Sequence, residues 1–482
     1  MNTFKRRNFI NKLGALSGVA FITPAAAMGD NSRHTEQGIS PQSSLINEND
    51  SLRNMGSSIV ISVEDEKIVA MASDGKTVVT RGKAGIDDSE VFQKAIDYLA
   101  PEGGEIRISQ GTYRLSKTVL VDLSVTISGE GQNTKLIPPS NDYLFKIITT
   151  DRSPLRPNSE ELIEGKPGDN TLTGVVIRML TVDGKGAGKG FYLHRLFDCL
   201  LQNLWMHDIH NGSAIYLDRI VMESNFINIH LNSTGCKETG EASIHLTDHT
   251  DNNLHFDRVF TIFPRARGLQ VNGGTIIYFN DCMWHGNFPY DSRKGKRLLP
   301  RDWPADLSGS NIIFETEELI YVKKMGTAFN KGLTFTRPRI TNNNPDYYHM
   351  VVEAGQISVV DGIIGGGAGK GMIKAEKDAR LRLVGNHFEG FPNFTHDVLY
   401  SAGAEINFRD NVIAGRNKQV VLAPARTSII IGNRFENTSK GASLRIEVSE
   451  KTGKQSLIVA DNIFQEESAE AATSSVCFLI PH

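Results

Sequence analysis

The sequence predicts an all-β protein folded as a parallel β-solenoid, and a repeat near the C-terminal end is the main indication. An apolar strand followed by an asparagine and, two residues later, by another apolar residue recurs at intervals of 25, 22 and 29 residues, at Asn386, Asn411, Asn433 and Asn462. A period in the twenties with β-branched runs is typical of a solenoid, whose coils bury their inward side chains by stacking. Asparagines at one turn of successive coils are expected to form a hydrogen-bonded ladder. The alternative is a set of asparagine turns between unrelated strands.

Length and composition fit one long body. The 482 residues would be enough for three ordinary domains, but a solenoid grows in one dimension and takes up the whole length as one unit. Hydrophobic residues make up 39% of the chain, and 45 glycines fit an all-β protein with many turns. We therefore expect residues 56–482 to form one β-helix with an N-terminal β element and a capping helix.

The first 27 residues are similar to a twin-arginine export signal. Lys5-Arg6-Arg7-Asn8-Phe9-Ile10 precedes an uncharged segment, and Ala25-Ala26-Ala27 provides a small-residue cleavage site. Lys5 stands where Ser or Thr is usual, and the expected lysine comes one position late, as Lys12, so an ordinary secretory signal is the alternative. Residues 28–55 are expected to be a flexible linker. Both interpretations predict a periplasmic or secreted protein.

Charge and cysteine content exclude several classes of protein. Without residues 1–27, which hold four basic and no acidic residues, the chain has 48 basic and 55 acidic side chains, which argues against a nucleic-acid partner. No later segment is long enough to span a membrane. The four cysteines have no metal-like spacing, so neither a disulfide framework nor a zinc site is expected. Cys199 and Cys282 lie in predicted strands, where we expect small buried side chains.

The N-terminal elements come next in the chain. Two short strands begin at Ser58 and Lys67, and a turn at Asp74-Gly75 leads into a third. Asp87-Asp88-Ser89-Glu90 predicts the start of a helix whose apolar residues follow at helical spacing and which ends before Pro101. Such a helix would cover the open end of a solenoid and remove an edge on which other chains would pair.

From Gly85 to about Pro139 the chain resembles the pectate-lyase-like right-handed β-helix proteins. The resemblance consists of the acidic helix start, the strand Glu105-Ile-Arg-Ile-Ser, the turn Gly111-Thr112-Tyr113 and the turn Gly129-Glu130-Gly131. It implies a single-stranded right-handed parallel β-helix with a short N-terminal capping helix. It does not specify the reaction, because the family includes lyases, hydrolases, epimerases and phage tail proteins.

One strand series predicts a continuous polar surface. Seven segments are expected to stack as rungs, beginning at Ile215, Ile244, Leu269, Ile312, Met350, Met372 and Val398. Alternation along each strand would turn the second and fourth residues outward. That outward set contains Tyr216, Asp218, His245, Thr247, Gln270, Asn272, Glu315 and Glu353.

The resemblance implies that an acidic polysaccharide binds along this face, and that a uronate chain is cleaved by β-elimination. Elimination needs a base beside positive charge that neutralises the carboxylate. We expect the catalytic cluster to be His245, Lys237, Arg265 and Arg267. Arg265 and Arg267 flank Ala266 and would clamp one carboxylate. The expected substrate-binding residues are His210, Asp218, Asn272, Glu315, Trp303 and Arg301, the last two from a basic insertion after His285.

Other functions remain open at this point. A glycoside hydrolase would use a carboxylate pair from Asp218, Asp248, Glu315 and Glu317. A non-catalytic glycan-binding or phage-tail-like β-helix would have similar turns. Calcium remains open as a cofactor, although Asp248, Asp251 and Asp257 are better explained by turn formation, and we expect no metal site.

Overall fold

The computed structural model describes residues 57–100, 102–153, 171–248, 252–299, 302, 311–325, 332–366, 370–390, 397–415, 420–423, 427–437, 444–447, 456–465 and 476–479. The predicted export signal, the predicted linker, Arg301 and Trp303 lie outside these residues. Within them the chain is a parallel β-helix, which confirms the predicted fold class. Its strands form one continuous 37-stranded sheet that folds into three faces, here named sheets A, B and C.

Each sheet is built from one strand of every coil. Four long strands pass from sheet A into sheet B, namely Val176–Ala187, Leu200–Ile209, Asn225–Thr234 and Asn252–Ile262. Two others, Tyr348–Val360 and Gly371–Val384, pass from sheet C into sheet A.

The remaining strands each belong to one sheet. Sheet A also contains Gly104–Ile108, Val125–Ser128, Ile276–Asn280, Leu333–Thr336, Glu405–Arg409, Ser428–Ile431 and Leu457–Ala460. Sheet B also contains Gly111–Arg114, Thr134–Ile137, Met283–His285, Arg339–Thr341, Ile363–Gly366, His387–Gly390, Val412–Gly415, Arg434–Asn437 and Ile463–Gln465. Sheet C also contains Val119–Val121, Tyr143–Ile148, Lys189–Phe197, Ile215–Met222, Ile244–Leu246, Leu269–Val271, Ile320–Val322, Asp397–Ala402, Val420–Leu422, Leu444–Glu447 and Val476–Leu479. The short strand Leu172–Thr173 pairs with the end of Lys189–Phe197.

A β element and a helix cover the first coil. Strands Ser58–Glu64, Lys67–Ala72 and Val78–Lys83 pair antiparallel, and the first of them continues sheet A beside Gly104–Ile108. The helix Asp88–Tyr98 buries Val91, Phe92, Ala95 and Ile96, and the ring of Phe92 packs edge-on against Tyr113 of sheet B. The Asp88 carboxylate accepts hydrogen bonds from the backbone N–H groups of Gly85 and Arg114, so it joins the helix to the first coil. The helix therefore closes the solenoid where the sequence predicted a cap.

The asparagine ladder is confirmed. Asn386 Nδ2 donates to Asn411 Oδ1 at 3.0 Å, Asn411 Nδ2 to Asn433 Oδ1 at 2.9 Å, and Asn433 Nδ2 to Asn462 Oδ1 at 2.9 Å. The residue before each ladder position has a positive φ, such as Gly385 at 69°, which favours glycine or aspartate. A tight bend and a buried amide thus recur together at the corner between sheets A and B.

The predicted rungs at Ile215, Ile244 and Leu269 stack in the predicted register. The rung at Ile312 was wrong, because Ile320 pairs with Leu269, whereas Ile312–Ile313 joins Tyr290–Asp291 and Lys296–Arg297 in a separate antiparallel sheet. The rungs at Met372 and Val398 are displaced by one residue, since Met350 pairs with Ile373 and Ile373 with Leu399. Met372 and Ile373 are both buried and apolar, so the sequence pattern did not distinguish which of the two pairs with Met350.

Aromatic and aliphatic side chains fill the interior of the coils. Phe226, Phe256, Phe279 and Phe335 stack along the axis, with ring centroids 4.4, 4.4 and 5.2 Å apart. Cys199 and Cys282 are buried as expected, and burial raises the pKa of both thiols to about 12. No helix among the described residues is long and apolar enough to cross a membrane.

Candidate functional site

A pocket of about 410 Å³ opens on the outward face of sheet C. It is lined by Tyr216, His245, Thr247, Asp248, Asn272, Lys323 and Lys324. Five of these residues belong to, or directly follow, the stacked rungs Ile215, Ile244 and Leu269. The two lysines follow the next rung, Ile320–Val322. Stacking therefore gathers residues more than a hundred positions apart in sequence into one wall.

The lysines of the pocket were missed by the sequence prediction. The predicted rung at Ile312 put Glu315 in the outward column, but the strand at that level is Ile320–Val322 and is followed by Lys323. Glu315 instead lies beside the antiparallel sheet of the insertion, where it forms an ion pair with Arg297 at 2.8 Å. The alternation Ile320-Tyr-Val-Lys was a usable signal, but the long insertion before it made the next rung hard to locate.

His245 is the central side chain of the pocket. Its Nε2 accepts a hydrogen bond from Asn272 Nδ2 at 3.0 Å, and its ring packs edge-on against Tyr216 at 4.9 Å between centroids. Burial lowers the pKa of His245, with the charge of Arg267 acting in the same direction. The imidazole is therefore neutral at pH 7. Its Nδ1 is buried and has no hydrogen-bond partner among the described residues.

Arg267 is linked to the pocket indirectly. It forms ion pairs with Glu317 at 2.9 Å and Glu318 at 3.2 Å, and it stacks on the Tyr321 ring at 4.8 Å. Its Nη1 also donates to Gln270 Oε1 at 3.5 Å. Two carboxylates thus already balance its single charge.

Gln270 links Arg267 to Asn272, the residue that is hydrogen-bonded to His245. The Nε2 of Gln270 donates to Asn272 Oδ1 at 3.1 Å, so the Asn272 amide presents its nitrogen to His245. An arginine only donates hydrogen bonds, so Arg267 favours this orientation of both amides.

Arg265 contacts a different set of groups from Arg267. Its Nη1 donates to His210 Nδ1 at 2.8 Å, and the other nitrogen of His210 lies 3.1 Å from Ser233 Oγ. Its ion pair with Glu238 is long, at 4.0 Å, and Glu238 is largely exposed. The two arginines therefore do not share one partner, although both flank buried Ala266, and Arg265 keeps more of its charge for a ligand.

Lys237 is exposed and does not line the pocket. It lies in the loop before the rung at Ile244, next to Glu238 of the Arg265 cluster. Its predicted catalytic role stays a prediction, as do the binding roles of Arg301 and Trp303, which lie outside the described residues.

Asp218 is held by three side chains on the N-terminal side of the pocket. Tyr192 Oη donates to Oδ2 at 2.5 Å, His194 Nδ1 lies 3.2 Å from Oδ2, and Thr247 Oγ1 donates to Oδ1 at 3.3 Å. Burial opposes ionisation, but these hydrogen bonds keep the pKa of Asp218 below its usual value. Tyr192 and His194 were not predicted, although the alternation Phe191-Tyr-Leu-His on the preceding rung shows the same outward pattern.

One group of side chains has the spacing of metal ligands. Asp183, His207 and Asp208 bring one ligand atom each within 4.8 Å of the others. Lys185 lies 2.7 Å and Lys135 3.7 Å from Asp183, so ammonium groups already neutralise the buried carboxylate of that cluster. Asp251, one of the three aspartates weighed for calcium, lies outside the described residues.

No protein-family model and no curated protein matches the chain. Solved structures with a similar course include ORF18 of Geobacillus virus E2, with 13% identity and a TM-score of 0.43, over 80% of this chain and 59% of that one. The mannuronan C-5 epimerase AlgE4 A-module of Azotobacter vinelandii has 12% identity and a TM-score of 0.45, over 82% and 94%. The tailspike gp61 of Pseudomonas phage phi297 has 11% identity and a TM-score of 0.45, over 80% and 76%. At such low similarity, function rests on the site itself.

Proposed function

We propose that this protein binds an acidic polysaccharide along sheet C and cleaves it by β-elimination. The observation that carries the proposal is the pocket, whose wall contains Lys323 and Lys324 together with His245 and Tyr216. Ammonium groups attract a uronate carboxylate, and tyrosine rings pack well against sugar faces. Export to the periplasm or the medium, as the N-terminal residues predict, belongs to the same proposal because such polymers lie outside the cytoplasm.

Each side chain has a chemical task in this reaction. Lys323 and Lys324 neutralise the carboxylate and stabilise the enolate that forms when the neighbouring carbon loses its proton. His245 Nε2 takes that proton once the substrate displaces the Asn272 amide. The glycosidic carbon–oxygen bond then breaks, and the Tyr216 hydroxyl protonates the leaving oxygen. Burial, followed by the negative charge of Asp218, raises the pKa of Tyr216, so the hydroxyl keeps its proton until the reaction requires it.

The other predicted residues take supporting roles. Arg265, held by His210 and only weakly paired with Glu238, binds a second acidic group of the polymer. Arg267 orients Gln270 and Asn272 rather than contacting the sugar. Exposed Lys237 contacts the polymer outside the pocket, and Arg301 and Trp303 are further residues proposed to bind the sugar chain.

Product chemistry tests the proposal. The purified protein is incubated with alginate, pectate, glycosaminoglycans and neutral glycans while the ultraviolet absorbance of a conjugated, unsaturated uronate is followed. The expected result is rising absorbance with at least one acidic polymer and none with neutral glycans. Reducing ends without absorbance would overturn elimination in favour of hydrolysis by a carboxylate pair that includes Asp218 and Asp248. Retention on an immobilised polymer without turnover would instead identify a binding protein.

A further inference from the structure

A second histidine on sheet C is oriented by a carboxylate. His194 lies on the rung Lys189–Phe197, directly above Asp218, and its Nδ1 is 3.2 Å from Asp218 Oδ2. An ionised carboxylate only accepts hydrogen bonds, so the proton of the neutral imidazole lies on Nδ1 and the lone pair on Nε2. The His194 side chain is 21% exposed, and Nε2 has no hydrogen bond in the part of the chain that the structure describes. The imidazole therefore presents a free base to solvent.

The surroundings of His194 keep this base neutral. Burial lowers the pKa of His194, and the positive charges of Arg195 and Arg219 lower it further. The hydrogen bond and negative charge of Asp218 raise it, but the net shift is downward. Arg219 is exposed and directly follows Asp218. Its positive charge also opposes the rise in the pKa of Tyr192 that burial and Asp218 cause. A cation beside an oriented, neutral imidazole is the combination that removal of a proton next to a carboxylate requires.

The same face joins this pair to the pocket. Thr247 lines the pocket and also donates to Asp218. Tyr192 and Tyr216 stack with centroids 5.7 Å apart, between the two histidines. His194 lies two coils from His245, which corresponds to about 10 Å along the axis. A polymer bound along sheet C would therefore pass both histidines.

We propose that His194 is a second proton-transfer residue, which acts on an acidic sugar whose carboxylate is held by Arg219, on the N-terminal side of the lysine pocket. This inference rests on the proposed function, because it takes an acidic polysaccharide as the substrate. His194 Nε2 accepts the proton from the carbon next to the carboxylate, and the electron pair forms a carbon–carbon double bond as the glycosidic bond breaks. The leaving oxygen takes a proton from water, and the imidazolium returns its proton to water.

Kinetics of matched variants test the role of His194. His194→Gln retains a donor to Asp218 but not a base, and it should lower kcat by about 100-fold or more at the N-terminal subsite with little change in KM. This loss should appear as a missing product in the size distribution of unsaturated oligosaccharides. The control His255→Gln changes a partly exposed histidine on sheet A, which contacts Asn253 there, and should leave products and rate unchanged. An unaltered product distribution and rate in His194→Gln, with activity lost in His245→Gln, would overturn this inference and leave the proposed function intact.

Nuclear magnetic resonance of histidine-labelled protein tests the geometry without turnover. In the wild type, the ¹⁵N shifts of His194 should show a protonated Nδ1 and an unprotonated Nε2 at pH 7, and this preference should disappear in Asp218→Ala. Addition of an oligouronate should shift the Nε2 resonance. A proton on Nε2 in the wild type, or an oligouronate that shifts His245 but not His194, would refute the second site. Failure of the proposed function has a different signature, which is the absence of unsaturated product from the wild-type protein.

Discussion

Asn272 donates a hydrogen bond to His245, with 3.0 Å between Asn272 Nδ2 and His245 Nε2. The Asn272 amide has this orientation because its oxygen accepts from Gln270. An amide nitrogen facing Nε2 disfavours a proton there, so the contact preserves the form of His245 that acts as a base.

Asn272→Asp should move the acidic limb of the pH–rate profile to higher pH. A carboxylate next to Nε2 favours the imidazolium and raises the pKa of His245, which burial lowers in the wild type. The wild-type enzyme should therefore lose activity only below the ordinary histidine range, whereas the variant loses it nearer neutrality. Profiles of kcat/KM measure the shift. Exposed Asn232 provides the control Asn232→Asp, and equal profiles for Asn272→Asp and the wild type would contradict the role of the amide.

Replacing both pocket lysines should remove most of the activity at the pocket. Lys323→Ala with Lys324→Ala deletes the charges that stabilise the enolate there, so kcat/KM for the products released at the pocket should fall by about 100-fold or more, and their remaining formation should depend less on salt. Steady-state rates at two ionic strengths check this. Lys374→Ala removes a lysine of the same sheet that is paired with Glu376 at 2.6 Å, and it should have little effect. Comparable losses in the pocket and control variants would show that general surface charge is responsible.

Asn411→Ala should destabilise the fold. The Asn411 amide donates to Leu383 O and to Asn433 Oδ1, and its oxygen accepts from the backbone and side-chain nitrogens of Asn386. Its removal leaves buried partners unsatisfied, at a cost of roughly 2–4 kcal/mol in the free energy of unfolding. Denaturant unfolding of this variant and of exposed Asn232→Ala measures the difference. Equal midpoints in the two variants would mean that the ladder adds no stability.

Removal of divalent cations should leave the rate unchanged. Lys323 and Lys324 supply the positive charge that calcium would provide, and the buried carboxylate of Asp183 is already paired with Lys185. Initial rates after treatment with a chelator, with and without added calcium, give the result. Activity that disappears on chelation and returns only with calcium would assign the carboxylate-neutralising role to a metal.

The repeat was readable from sequence because the asparagine at the corner between sheets A and B recurs with the same chemistry in successive coils. His245 was identifiable because alternation on the short strand Ile244–Leu246 turns it outward. The pocket lysines were not predicted because the insertion before Ile320 lengthens the spacing between rungs, so the strand Ile320–Val322 was not recognised as the next rung. The partners of Arg267 could not be foreseen, since Glu317 and Glu318 lie in an irregular segment just before Ile320, whose course the sequence pattern does not define.

The identity of the product distinguishes elimination from hydrolysis. Wild-type protein and His245→Gln are incubated with the same panel of acidic polysaccharides, and the ultraviolet absorbance of the unsaturated uronate is recorded alongside new reducing ends. Both signals should rise together in the wild type, and in His245→Gln the products released at the lysine pocket should form more slowly by about 100-fold or more. Reducing ends that form without absorbance, or pocket products that form as fast in the variant as in the wild type, would contradict β-elimination with His245 as the base.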